Sequence, residues 1–249
     1  MQLSVKPNPF LISTTMFWPA TLGIMRHAES KRNTLPKSGG FLCESPIEPA
    51  ADWETEITDV GHHQAYRAGT GLAIMGARWD AVIVSPFTRV VQTLDGVRKG
   101  YQDAGADFPK EAVPSLFLRE RDAAYNSNMG LAESKHVFPY LQPHWQREGA
   151  FLARPPGGES MAEVCERMYL FLTQQLLPRM QNKRVLIVCH GGTMRAIRYW
   201  LESWDIPRAN HEFSTVIPPN CGYIEYRSHL DALSLGESGD PNSAYRTFS

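Results

Sequence analysis

A basic excess, clustered cysteines and long apolar runs are all missing from this 249-residue chain. The formal net charge is −1, so there is no global positive field to draw in nucleic acid or an anionic membrane surface. The four cysteines, Cys43, Cys165, Cys189 and Cys221, stand far apart. They show neither the C-x-x-C spacing of a zinc site nor the density of a disulfide scaffold, which points to a reducing compartment. No apolar run approaches the roughly 20 residues of a membrane span. Phe10 to Met25 is fairly apolar behind Lys6, the outline of a secretory signal. Pro7, Pro9 and Pro19 interrupt it, and no A-x-A-like cleavage site follows. Cleavage at its end would also remove the strand that leads to His27, so a cytoplasmic location is the expectation. Internal repeats and low-complexity tracts are absent.

What is present is an ordinary globular balance. Hydrophobic residues make up 43% and charged residues 20%, which with this length fits one large α/β domain or at most two small ones. Residues 1–18 read as an irregular extension, 19–230 as the main domain and 231–249 as a polar tail. Strands are expected at Thr21 to Met25, Asp80 to Val84, Val113 to Leu118, Arg184 to Cys189 and Cys221 to Arg227. Thr58-Asp59 is a plausible N-cap for a helix ending near Met75, with Gly76 as a natural stop. Ser85-Pro86 opens a second helix with Pro at its first position. Ser160 to Met180 carries apolar residues at helical spacing behind a Ser160/Glu163 capping box. A fourth helix follows Gly191-Gly192. The Pro- and Gly-rich stretch 34–56 and the mixed stretch 126–156 are irregular, and both read as insertions that would meet a substrate.

Strands alternate with helices, and Val185 to Val188 is continuously apolar. This predicts a three-layer α/β/α sandwich with a mostly parallel central sheet. Ligands in such sheets bind beyond the carboxyl ends of the strands. The chemically interesting residues gather there: Arg26-His27, Ser85 with Arg89 one turn on, and His190.

A neutral imidazole is a good nucleophile near pH 7, and at a strand end His27 can be oriented through its second ring nitrogen. Arg26 and Arg89 offer planar forks suited to phosphate oxygens. His190, followed by two glycines and a helix, can add a donor beside backbone N–H groups. Phosphoryl transfer also needs a proton for the leaving oxygen. Glu120, in L-R-E-R-D, is the candidate, and a bound phosphate dianion would favour its protonated form. Its neighbours Arg119 and Arg121 would act in the opposite direction if they face inward.

Six segments, in order, resemble the histidine phosphatase superfamily in its phosphoglycerate mutase-like branch. G-I-M-R-H-A-E-S-K-R-N (Gly23 to Asn33) is similar to the R-H-G-E-x-x-x-N signature. I-T-D-V-G-H-H-Q-A (Ile57 to Ala65), S-P-F-T-R-V-V-Q-T (Ser85 to Thr93), L-R-E-R (Leu118 to Arg121), P-G-G-E-S (Pro156 to Ser160) and V-C-H-G-G-T-M-R (Val188 to Arg195) continue the series. The resemblance implies a phosphoglycerate mutase-like fold and a transient phosphate on His27. Arg26, Arg89 and His190 would hold that phosphate, Ser30, Asn33 and the Gly191 amide would add contacts, and Glu120 would donate the proton. No metal and no organic cofactor is implied.

The chain departs from the pattern in three places. Ala28 replaces the usual Gly, with a methyl expected close to the pocket, and Val90 replaces the usual Ala. Arg121-Asp122-Ala123-Ala124 stands where the mutases carry R-H-Y-G. The last departure favours a phosphatase acting on a small phosphorylated metabolite over a mutase, with a non-catalytic phosphate-binding module as a third reading. Blander roles compete for several residues. Glu29 would orient the Arg26 loop, Glu159 would cap a helix, and Asp122 is a minor rival to Glu120. His62-His63 would be solvated, and Phe151, Tyr169, Phe171, Tyr199 and Trp200 would be core. Lys31, Arg32 and Lys37 would form a solvated charged loop rather than a substrate-tail patch. No nucleic-acid or membrane partner is expected, while a homo-oligomer stays open.

Overall fold

The computed structural model describes residues 18–35, 51–124, 129–229, 232–235 and 245–248. Most of the predicted extension 1–18, much of the stretch 34–56 and part of the tail 231–249 lie outside the described residues, as does Lys37.

Among the described residues, six strands form one sheet in the order β3-β2-β4-β1-β5-β6. They are β1 (Thr21–Arg26), β2 (Ala81–Val84), β3 (Val113–Pro114), β4 (Arg184–Cys189), β5 (Tyr223–His229) and β6 (Ala232–Leu235). The first four are mutually parallel, while β5 runs antiparallel to β1 and β6 antiparallel to β5. The predicted α/β/α arrangement with a mostly parallel sheet is therefore the observed one, with β5 and β6 making the sheet mixed.

Period-two alternation splits the strand residues between two cores. Leu22, Ile24, Val185, Ile187 and Cys189 face one, with α5 (Met161–Leu170) and α6 (Gly191–Leu201) packed over it. Met25, Val82, Val84, Leu186 and Val188 face the other, covered by α1 (Asp59–Ile74) and α2 (Thr88–Asp103). The remaining α-helices among the described residues are α3 (Leu131–Val137), α4 (Leu141–Leu152) and α7 (Ile206–Thr215). The α1–α2 contact is close because small residues face it. A Cβ on Gly69 would lie 2.2 Å from the Val97 carbonyl oxygen. Among the described residues no helix is long and apolar enough to cross a membrane.

Several boundaries differ from the sequence reading for local reasons. The strand expected at Val113 to Leu118 stops at Pro114, and the chain turns instead into a 3-10 turn over Leu116–Leu118, where the Leu118 amide donates to the Ser115 carbonyl at 3.0 Å. The helix expected from Ser85-Pro86 begins two residues later, at Thr88, and the Ser85 hydroxyl lies 2.8 Å from His190 Nε2. The helix expected over Ser160 to Met180 gives way to a π-helical stretch, Phe171–Leu176. There the Thr173 hydroxyl donates to the Tyr169 carbonyl at 2.8 Å, competing with the backbone ladder. The stretch 126–156 does hold short helices, α3 and α4. The tail expected to be loose contributes β6, and Tyr245 is buried in the α5–α6 core.

One buried polar network binds the outer layer. Arg198 on α6 donates to Glu202 at 2.8 Å and to the Tyr245 hydroxyl at 2.7 Å. Glu202 also accepts from the Tyr226 hydroxyl and from Trp204 and Arg208. The Arg198 and Glu202 side chains are each only 4% exposed. Removing Glu202 would leave the buried Arg198 charge with only the longer ion pair to Glu212, at 3.4 Å. A Glu202→Ala variant should lose about 3–5 kcal/mol in urea denaturation; a loss below about 1 kcal/mol, the range of exposed pairs, would refute this reading.

Candidate active site

The sheet register alone brings the two histidines together. Arg26 on β1 is the partner of Cys189 on β4, so the residues that follow, His27 and His190, leave adjacent parallel strands side by side. The His27 amide donates to the Cys189 carbonyl at 2.9 Å, which carries the ladder one step beyond the strand. Strands spaced about 4.8 Å apart then give imidazole centroids 5.3 Å apart, crossed at 65°.

His27 is 4% exposed. Its Nδ1 donates to the Ala28 carbonyl at 2.7 Å, which fixes the ring and leaves Nε2 as the basic nitrogen. Burial, with Arg89 and Arg26 nearby, holds its pKa well below the usual histidine value, so the ring is neutral. Burial, then Arg89, His27 and Arg26, do the same for His190, which is completely enclosed. His190 Nε2 lies 2.8 Å from the Ser85 hydroxyl, and its Nδ1 is buried without a hydrogen-bond partner.

The cleft above these rings has a volume of about 390 Å³. Arg26, His27, Ser30, Asn33, Arg89 and Glu120 line it, together with Arg32, Asp52, Arg121, Asp122, Ala123, Gly192 and Arg195. Five guanidinium groups face three carboxylates there, which makes the cleft locally cationic in a chain of net charge −1. Arg26 donates to the Pro218 carbonyl, and its Nε is buried and unpartnered. Asn33 Oδ1 accepts from the amide and hydroxyl of Ser30 and from Asn220 Nδ2.

Glu120 is held by backbone donors. The Gly192 amide, in the first turn of α6, donates to Oε2 at 3.2 Å, and the Arg121 amide donates to Oε1 at 2.9 Å. A Cβ on Gly192 would lie 2.4 Å from Oε1, so a larger residue here would have to displace the carboxyl group from its present position. The flanking segment is fixed by Glu159, which accepts from Arg119 at 2.7 Å, from the Asp122 amide at 2.9 Å and from Arg167. Helix α5 is capped by Ser160 and Glu163 instead. Glu159 is therefore a brace for the Glu120 segment and not the helix cap the sequence suggested.

Other sequence expectations find different surroundings. Gly191 stands behind Arg26, and its neighbour Gly192 forms the cleft wall. Ala28 is buried among Met25, Val90 and the α1–α2 core and does not line the cleft, so its methyl leaves the pocket unconstricted. Glu29 accepts from the Thr58 hydroxyl and so ties the Arg26 loop to the start of α1. Phe151 and Phe171 are core, while Tyr169, Tyr199 and Trp200 are half-buried against it. Lys31 is exposed and paired with Glu56. Arg32 instead reaches the cleft wall and pairs with Asp52 at 2.6 Å.

Three cleft residues escaped the sequence reading. Arg195 lies four positions after Gly191, on the same face of α6, a helical spacing that could have flagged it. Its guanidinium donates to the Glu212, Phe213 and Val216 carbonyls at the end of α7. Gly192 had been grouped with its neighbour. Asp52 had no signal at all, since it reaches the cleft on a 3-10 turn, Asp52–Glu54, placed by tertiary contacts.

An open α/β sheet with two buried neutral imidazoles at its switch point, and with Arg26, Arg89 and the Glu120 carboxyl group around the cleft above them, is suited to a phosphate-bearing ligand. The profile of the Histidine phosphatase superfamily (branch 1) matches residues 22–228, and the chain belongs to that family. It is 30% identical over 168 residues to a 2,3-bisphosphoglycerate-dependent phosphoglycerate mutase of Methylorubrum populi, covering 66% of this chain and 76% of that one. Among solved structures, a putative alpha-ribazole-5'-P phosphatase from Escherichia coli superposes with a TM-score of 0.69 at 17% identity, covering 93% and 100% of the two chains. A mycobacterial glucosyl-3-phosphoglycerate phosphatase gives 0.61 at 20% identity, covering 87% and 97%.

Keeping both imidazoles neutral links stability to pH. Above about pH 6.5, the ordinary histidine value, neither folded nor unfolded rings bind protons and nothing is lost. Below it the unfolded rings take up protons that the folded rings refuse, so stability falls. Each ring should contribute about 1.4 kcal/mol per pH unit. Urea midpoints measured from pH 7 to 5 should therefore fall more steeply for the wild type than for a His190→Asn variant. Equal slopes would show that His190 protonates normally in the fold.

Proposed function

We propose that the protein is a metal-independent phosphatase that hydrolyses a small phosphomonoester through a phosphohistidine on His27. The observation that carries this reading is the buried Nδ1–H to Ala28 carbonyl bond, which leaves Nε2 unprotonated at the cleft floor. In the first step Nε2 attacks phosphorus, the P–O bond to the substrate breaks, and Glu120 gives its proton to the departing oxygen. In the second, the Glu120 carboxylate takes a proton from a water molecule, whose oxygen attacks the phosphohistidine and releases inorganic phosphate. Arg26 and Arg89 hold the phosphoryl oxygens, and guanidinium charge fixed in a partly dry cleft stabilises the transition state strongly. A phosphoryl oxygen would also satisfy the unpartnered His190 Nδ1 and Arg26 Nε.

A mutase is the second reading, favoured by the name of the Methylorubrum relative and by cleft arginines beyond those that one phosphoryl group needs. Against it, the segment that departs from R-H-Y-G forms part of the cleft wall and adds the Asp122 carboxylate there. A mutase would need a bisphosphorylated primer and would return the phosphate to substrate, whereas the phosphatase releases it.

Substrate labelled in its phosphate should leave a protein label that survives base and is lost in acid, and His27→Ala should abolish both label and turnover. A label stable to acid but not base would mean an acyl phosphate and overturn the assignment, as would a His27→Ala variant that keeps most of the turnover. EDTA should leave the rate unchanged. Glu120→Gln should slow phosphoenzyme formation from an alkyl phosphate by about 10²–10⁴-fold, and far less from p-nitrophenyl phosphate, whose leaving group needs little protonation. Equal losses on the two substrates would remove Glu120 as the acid.

A further inference from the structure

Arg89, one of the two arginine clamps, is not an empty clamp. Its side chain is 4% exposed, and both terminal nitrogens already face an anion. Nη1 donates to the Asp52 backbone carbonyl at 2.6 Å and to Oδ1 at 3.1 Å, and Nη2 donates to Oδ2 at 3.3 Å. Arg32 Nη1 donates to the same Oδ1 at 2.6 Å. One carboxylate thus bridges two guanidinium groups on the cleft wall, with about a third of its side chain open to solvent.

A carboxylate and a phosphoryl group ask for the same donors in nearly the same fork geometry. The two parts of Asp52 act differently on Arg89. The backbone carbonyl makes the shortest contact, and it would remain if the side chain lost its charge. The carboxylate adds longer, charged contacts, and its negative charge lies beside the place where a phosphate dianion must sit. Like charges at that range oppose each other strongly in a partly buried cleft. Holding Arg89 in place therefore does not require the charge, whereas limiting its grip on phosphate does.

We infer that Asp52 is an internal counter-anion of the phosphate site, which weakens the hold of Arg89 and Arg32 on phosphate and so speeds release of the inorganic product. The inference rests on the phosphatase reading, because it needs a phosphate bound between Arg26 and Arg89. The reaction it assists makes a product that shares the substrate's charged group. A clamp of undiminished charge would retain that product and inhibit the next turnover.

The test is inorganic phosphate binding to the wild type and to Asp52→Asn, measured by isothermal titration calorimetry at fixed ionic strength. Asp52→Asn should bind phosphate at least tenfold more tightly. Turnover of p-nitrophenyl phosphate should then show a lower KM and stronger inhibition by added phosphate. An ion pair that served only to position Arg89 predicts the opposite sign, since its loss would loosen the clamp, and damage to the fold cannot produce a gain in affinity. Unchanged or weaker binding by Asp52→Asn, with normal binding by the wild type, overturns the counter-anion role alone. Absence of phosphate binding to the wild type at millimolar concentrations overturns the phosphatase reading and this inference with it. Asp52→Ala, which also lacks the charge, should gain affinity as well; a gain confined to Asp52→Asn would trace the effect to the new amide and overturn the inference.

Discussion

Everything in the cleft depends on two uncharged imidazoles kept out of water at the ends of neighbouring parallel strands. Burial of this kind favours the neutral form, and the adjacent guanidinium groups push in the same direction. The same arginines therefore serve twice. They offer charge to an anion in the cleft, and they keep protons off the rings beneath it. Separating the histidines by one register step would move one of them to the opposite face of the sheet, so the pairing of β1 with β4 is as much a part of the site as any side chain in it.

Support for the carboxyl side of the cleft comes from a different direction. Glu120 is not placed by a strand. The β3 segment ends after two residues, and the chain then turns through Leu116–Leu118, with Leu118 buried as an anchor. Arg167 on α5 reaches back to the Phe117 and Arg119 carbonyls, while Glu159 joins Arg119, Arg167 and the Asp122 amide. The first turn of α6 supplies the last contact through Gly192. Helices of one layer thus hold the Glu120 carboxyl group on one side of the cleft and the sheet holds the His27 ring on the other, and the two sides meet only in the folded state.

What could be read from the chain followed from how locally each feature is encoded. His27, His190, Arg26 and Arg89 sit at or within a turn of strand ends, and a strand followed by a helix in an alternating pattern places such residues with little help from elsewhere. The continuously apolar run Val185 to Val188, set among alternating strands and helices, was enough to predict a sheet covered on both faces. Asp52 was invisible because nothing in D-W-E distinguishes a cleft residue from a surface turn. Its place is set by bonds between 29–34 and 56–58, such as the Lys31 amide to the Glu56 carbonyl. Ala28 was read as a pocket residue because sequence adjacency to His27 was taken for spatial adjacency to the cleft. Along an extended chain, consecutive side chains point to opposite sides, and its methyl faces the α1–α2 core. Strand β6 and the burial of Tyr245 were missed because the surrounding composition is polar.

The amide of His27 is itself a rung of the central ladder, bonded to the Cys189 carbonyl. Regions of a protein open with free energies that range from almost nothing at surface loops to the full unfolding energy in core strands. A nucleophile carried on a loop would lose its orientation in many small fluctuations that leave the fold intact. Here the backbone that aims the ring can let go only when the middle of the sheet does. The orientation of the proposed nucleophile is thus as durable as the domain, and heat should disturb it only at the temperature at which the domain melts.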